Sequence, residues 1–224
     1  MLLSTLYVSA LAVLFSLVIG VGAALFLATR LSDRWRSILM PYIELLASVP
    51  SVVYGFVGLL VVVKSFERLG MASGESILAG AIVLAVMILP YMIASCCDTM
   101  LTLNKRYAMV SASLGISRWY TSGILILSAS RRGILISTAL ATGRAMGETM
   151  AVMMLLGNAM TVPRLLGKGE TISALIALEM GMAEVGSLHY SALYASGLLL
   201  LLLLLLINIV FSLFKKKLKG EGLL

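Results

Sequence analysis

The stretch from Ile134 to Asn158, ILISTALATGRAMGETMAVMMLLGN, constrains the fold more than any other part of the chain. It is long and apolar enough to cross a membrane, since about 20 mostly apolar residues span the hydrocarbon core. Yet Arg144 and Glu148 stand near its middle. Against lipid each would cost a few kcal/mol on insertion scales, roughly 3 for an arginine. In a continuous helix the pair shares one face and can interact. Ala139, Gly143, Gly147 and Ala151 repeat at the same spacing, so Gly143 and Gly147 predict a place where another helix backbone packs closely. The stretch therefore predicts a span held inside a bundle, its charged edge facing protein or a water-filled path. An ionisable pair there marks either the route of a polar solute or a buried structural clamp.

The rest of the chain agrees with an all-α polytopic membrane bundle. Of 224 residues, 61% are hydrophobic and 12% charged, against roughly 25% charged in soluble domains. The apolar runs are continuous rather than alternating, which argues against a membrane β-barrel. The net charge of +7 does not indicate nucleic acid as a partner. Its basic residues gather in short loops and the tail, as orientation signals do. Cys96 and Cys97 are adjacent, supply no metal cage and read as packing residues. His189 has no partner ligands at metal spacing, so no metal is expected. No basic start and cleavage site mark a signal peptide.

One membrane domain, residues 1–224, is expected, with spans near 6–27, 40–63, 77–95, 134–156 and 191–213. Arg30, Arg34 and Arg36 follow the first span. Pro41 suits the first turn of the second, and Pro50 should kink or interrupt it. Lys105, Arg106, Arg118, Arg131 and Arg132 mark residues 98–132 as a cytoplasmic loop, and Lys215, Lys216, Lys217 and Lys219 mark the tail as cytoplasmic. These charges predict a multi-pass protein of the cytoplasmic membrane, with its N-terminus outside and its C-terminus inside. Within the inner loop, Arg106 to Leu114 predicts a short helix stopped by Gly115, a rigid docking face for a soluble partner. Residues 173–182 predict a short amphipathic or re-entrant helix in the outer loop.

MVSASLGISRW, Met109 to Trp119, resembles the cytoplasmic EAA loop of ABC importer permeases. The resemblance implies that Met109, Val110, Ser111, Leu114 and Gly115 couple the chain to an ATPase. Met109, Val110 and Ser111 stand where that loop usually has a glutamate and two small residues. GRAMGETMAVMMLLGN closely resembles the PstC-type subunit of phosphate importers, which carries an arginine and a glutamate in a GRxxGET pattern. YIELLASVPSVVYGFVGL and STLYVSALAVLFSLVIGVGAALFLA are similar to its first core helices. PstC-type subunits usually carry an extra helix and an external segment before the first core span, and this sequence starts at that span. The resemblance implies the fold of a type I ABC importer permease that moves inorganic phosphate, with Arg144 and Glu148 on the pathway. It further implies a second, PstA-type permease, two ATPase subunits, a phosphate-binding protein outside, and membrane lipid around the bundle. The chain holds no G-x-x-x-x-G-K-[ST] pattern, so no nucleotide cofactor is expected in it; ATP and Mg²⁺ belong to the ATPase subunits. It reads as a transporter subunit rather than an enzyme. The rival readings are a permease for molybdate, tungstate or sulfate, an ion-coupled carrier working alone, and a non-transporting scaffold.

Overall fold

The computed structural model describes residues 1–220, with side chains to Lys216; Lys217 and Lys219 of the basic tail lie outside the described side chains. Among the described residues every regular element is a helix. α1 (Leu2–Thr29), α4 (Ile77–Ser113) and the Leu188–Lys216 part of α9 (Leu188–Gly220) are each long and apolar enough to cross a membrane. Two bent pairs pass the same test together: α2 (Asp33–Ala47) with α3 (Ser51–Arg68), and α5 (Arg118–Ala129) with α6 (Arg131–Gly147). That makes up to five crossings when each pair counts as one. α7 (Met150–Leu155) and α8 (Ile172–Glu179) are short.

Prolines and glycines explain where these helices begin and break. Pro50 occupies the cap position of α3 with an extended ψ of 137°, and the helix is interrupted there. A proline lacks the N–H that would continue the upstream helix and disfavours helical geometry in the residue before it. α2 starts at Asp33, well before the expected Met40, so Pro41 lies inside it rather than in its first turn. Asp33 explains the earlier start, because an acid in the first turn suits the unpaired N–H groups there. Both α3 and α5 contain a π-helical turn, at Leu59–Val63 and Thr121–Ile126.

α4 corrects a second expectation. It continues through Pro90 to Ser113, where the sequence predicts a loop from Asp98 and a separate helix from Arg106. Residues 98–113 hold no glycine or proline and are rich in Leu, Met, Ala, Lys and Arg, so nothing in them stops a helix already started. At 1.5 Å per residue α4 is about 55 Å long, nearly twice a hydrocarbon core of about 30 Å.

The chain packs as two compact units. One comprises residues 1–15, 49–87 and 142–208. Its core includes Val8, Ile77, Leu84, Met87, Leu155 and Leu156, all fully buried. A Cβ at Gly80 would fall 2.1 Å from a methyl of Leu156, with Val8 close by, so α1, α4 and the end of α7 converge there. The end of α7 and the loop after it hold the start of α4 with main-chain carbonyls. Ile77 N–H donates to Gly167 (3.0 Å), Leu78 N–H to Leu165 (2.9 Å) and Ser76 N–H to Leu155 (3.1 Å). Donors at a helix start have no partner inside the helix, and here loop carbonyls supply it. Lys168 pairs with Glu75 at 2.7 Å across the same contact. The other unit comprises residues 16–48, 88–141 and 209–224. Met92, Cys96, Cys97, Met100 and Ile126 are buried in it. Asn104 donates to the Ala28 carbonyl at 2.8 Å, and Ser95 and Ser137 share a hydrogen bond of 2.7 Å. The cysteines are free and buried, as packing residues would be.

Candidate functional site: a broken helix and an exposed helix end

The stretch that sequence reads as one helix is two. α6 ends at Gly147, Glu148 and Thr149 are non-helical, and α7 begins at Met150. Gly147 and β-branched Thr149 are weak helix formers. Glu148 adds a competing local hydrogen bond, since its Oε1 accepts from the Ala151 N–H at 3.4 Å. A side-chain acceptor that takes a first-turn N–H caps a new helix instead of continuing the old one. Arg144 accordingly lies in the last turn of α6 rather than mid-helix, where a cation suits the unpaired carbonyls. The expectation that Arg144 and Glu148 stack one turn apart on a continuous helix is replaced by a pair on either side of a break.

The surroundings of the break are unequal. Arg144 is exposed on this chain's surface, and Glu148 is half-buried. Tyr54, on α3, is half-buried. α3 lies against α7, and Gly55 sets how closely, because a Cβ there would stand 2.9 Å from the Ala151 Cα and 3.0 Å from the Met154 Sδ. Gly58 plays a similar part beside Val83 and Leu155. Among the described residues nothing lies within 4 Å of a Cβ added at Gly143 or Gly147; the close approach in this stretch is at Ala151, against Gly55. The α8 end of the same unit grips the break: Ser173 Oγ donates to the Glu148 carbonyl at 2.8 Å. Sequence alone does not single out Ser173, since its partner Glu148 lies far away in the chain.

The segment read as ATPase-coupling forms the end of α4 and the turn after it. Gly115 is left-handed, with φ +69°. Its N–H donates to the Ala112 carbonyl (3.1 Å), and the Ile116 N–H donates to that of Ser111 (2.9 Å). These two bonds satisfy the last carbonyls of α4, the usual arrangement around a glycine helix stop. Met109, Val110 and Leu114 are 80%, 55% and 69% exposed, whereas Ser111 is buried. Ser111 instead lines a cavity of about 250 Å³ with Asn104, Arg118, Thr121 and Ser122. Trp119 is exposed, with the Arg30 guanidinium 5.1 Å from its ring centre.

The chain thus combines helices long and apolar enough to cross a membrane with a helix broken between two charged residues and an exposed, glycine-stopped helix end. Residues 16–220 match the family described as binding-protein-dependent transport system inner membrane component, and the chain belongs to that family. It is thus a transport subunit and not an enzyme. The probable ABC transporter permease protein YqgH of Bacillus subtilis (strain 168) is 39% identical over 55% of this chain and 40% of its own length. The phosphate transport system permease protein PstC of Xylella fastidiosa (strain Temecula1 / ATCC 700964) is 30% identical over 57% of this chain and 45% of its own. The matched region spans less than half the length of these curated relatives. A chain from an inward-facing structure of the MetNI methionine ABC transporter superposes with a TM-score of 0.73 at 15% identity, covering 96% of this chain and 92% of that one. The fold is that of a type I ABC importer permease.

Proposed function

We propose that this chain is one permease half of an ATP-driven importer of inorganic phosphate in the cytoplasmic membrane. The observation that carries the reading is Arg144, an exposed guanidinium in the last turn of α6 beside a helix break. A guanidinium offers paired donors matched to a phosphate. The exposed face on which it stands is the one a second, PstA-type permease would cover to form the opposite wall of the pathway. Glu148, across the break, limits how tightly an anion is held, since a conducting site must bind weakly enough to release. The phosphate transport name of the Xylella relative supports phosphate as the anion. Met109, Val110, Leu114 and Gly115 form the face that docks on an ATPase subunit, with Ser111 packed beneath it. Two such ATPase subunits and an external phosphate-binding protein complete the transporter, the N-terminus of this chain lying outside and its C-terminus inside.

Radiolabelled phosphate uptake by cells that depend on this chain tests the reading. Arg144→Gln is expected to abolish uptake while the subunit remains inserted and co-purifies with its ATPase. Near-normal uptake by the variant rejects a pathway role for Arg144. Competition by molybdate or sulfate stronger than by phosphate itself rejects phosphate as the cargo.

A further inference from the structure

We infer that Ser173 is a positioning residue that sets the geometry of the helix break carrying Arg144 and Glu148. This inference rests on the pathway reading of that break. A backbone that leaves helical geometry loses main-chain partners, and buried carbonyls without partners are costly. At this break one partner comes from α8, through the 2.8 Å bond from Ser173 Oγ to the Glu148 carbonyl.

Ser173 is itself fixed from behind. Its Oγ and the Thr171 Oγ1 share a hydrogen bond of 3.1 Å, and Thr171 Oγ1 also accepts from the Ala174 N–H at 3.2 Å, capping α8. Between them, the Ile172 N–H donates to the Thr5 Oγ1 of α1 at 3.1 Å. Thr5, Thr171, Ile172, Ser173 and Ala174 are all buried, none more than 7% exposed. Water competes poorly for these groups, so α1, the start of α8 and the break form one short chain of hydrogen bonds. A shift of α8 or of the first turns of α1 is thereby transmitted to the Glu148 carbonyl and to the charged groups on either side of it. The Glu148 side chain points its acceptor to Ala151 in the restarting helix, so main chain and side chain of one residue are held separately.

The test combines transport with a geometric probe. A cysteine at position 149 (Thr149→Cys) is labelled with a charged maleimide in membranes containing the whole transporter; Cys96 and Cys97 are buried and free, and Ser replacements at both keep the background clean. Ser173→Ala is expected to raise the labelling rate at 149. It should also lower maximal phosphate uptake roughly fivefold, the effect of one net hydrogen bond, with little change in the external phosphate concentration giving half-maximal uptake. Ser173→Thr, which keeps the hydroxyl, should return both readouts toward the parent. An unchanged labelling rate in Ser173→Ala overturns the inference. So does a raised rate with uptake unaltered, which would leave a bond without a role in transport. If Arg144→Gln transports normally, the pathway reading fails, whereas the labelling comparison still decides whether Ser173 holds the break.

Discussion

Gly55 offers the sharpest test of how the site is held. Gly55→Ala adds one methyl, and its ideal position is 2.9 Å from the Ala151 Cα. Ordinary contacts between such carbons begin near 3.4 Å, so α3 and α7 must separate by several tenths of an ångström. The neighbour is backbone, and no rotamer change relieves the overlap. Overpacking of this kind costs about 1–3 kcal/mol. In a chain of this length each kcal/mol lowers the melting temperature by roughly 2–4 °C, so a fall of several degrees is expected. Two substitutions serve as comparisons. At Gly58 an added Cβ would fall 2.6 Å from a methyl of buried Val83, a side chain stiff at χ1, so Gly58→Ala should destabilise as well. At Gly143 nothing of this chain lies within 4 Å, and Gly143→Ala removes a poor helix former at a gain of up to about 1 kcal/mol. Thermal unfolding of the detergent-solubilised subunit, followed by fluorescence-detected size exclusion, should place Gly55→Ala and Gly58→Ala below the parent and Gly143→Ala at or above it. Gly55→Ala melting at or above the parent would refute the claim that this glycine sets the α3–α7 distance.

Further outcomes follow from other features. Gly115→Val forces a β-branched residue into φ +69° with no steric neighbour to blame, so a strain of about 1–2 kcal/mol should fray the end of α4; it should lower the ratio of phosphate moved to ATP hydrolysed, and Gly115→Asn should restore much of it. Glu170 is buried, and burial together with the nearby charge of Glu179, against the pull of the Met1 amino group, raises its carboxyl above the ordinary 4.5. The folded state therefore holds this proton more firmly than the unfolded one. Its stabilising contribution is complete below pH 4.5 and is lost as pH rises through the raised value. Glu170→Gln, which mimics the protonated form, should melt higher than the parent at pH 8 and alike near pH 4.5.

What was legible in the sequence was what a residue does to its immediate neighbours. Pro50 announced the break between α2 and α3, and Gly115 announced the end of α4, because each acts on its own backbone. The membrane class was legible from run length and charge, which are local sums. Residues 98–113 look like loop by their charge and are helix in the structure. Charge reports contact with water, and a helix emerging from a membrane meets water without ceasing to be a helix.

The break at Glu148 shows why the remainder was illegible. Its neighbours contain no proline, and Met, Ala and Leu on both sides favour helix. A single glycine is tolerated inside a spanning helix, so the local signal alone leaves continuation and interruption nearly balanced. What favours interruption is supplied at a distance, by the Ser173 hydroxyl on the Glu148 carbonyl and by Gly55 admitting Ala151 to close contact with α3. Each partner is an ordinary residue in its own segment, and only the fold brings them to the break. A charged pair placed there gains an arrangement that a straight helix cannot offer. Arg144 sits where unpaired carbonyls favour a cation, and Glu148 sits where an N–H needs an acceptor. The break thus sets each charge beside a main-chain end of complementary sign, Arg144 in the last turn of α6 and Glu148 before the first N–H groups of α7.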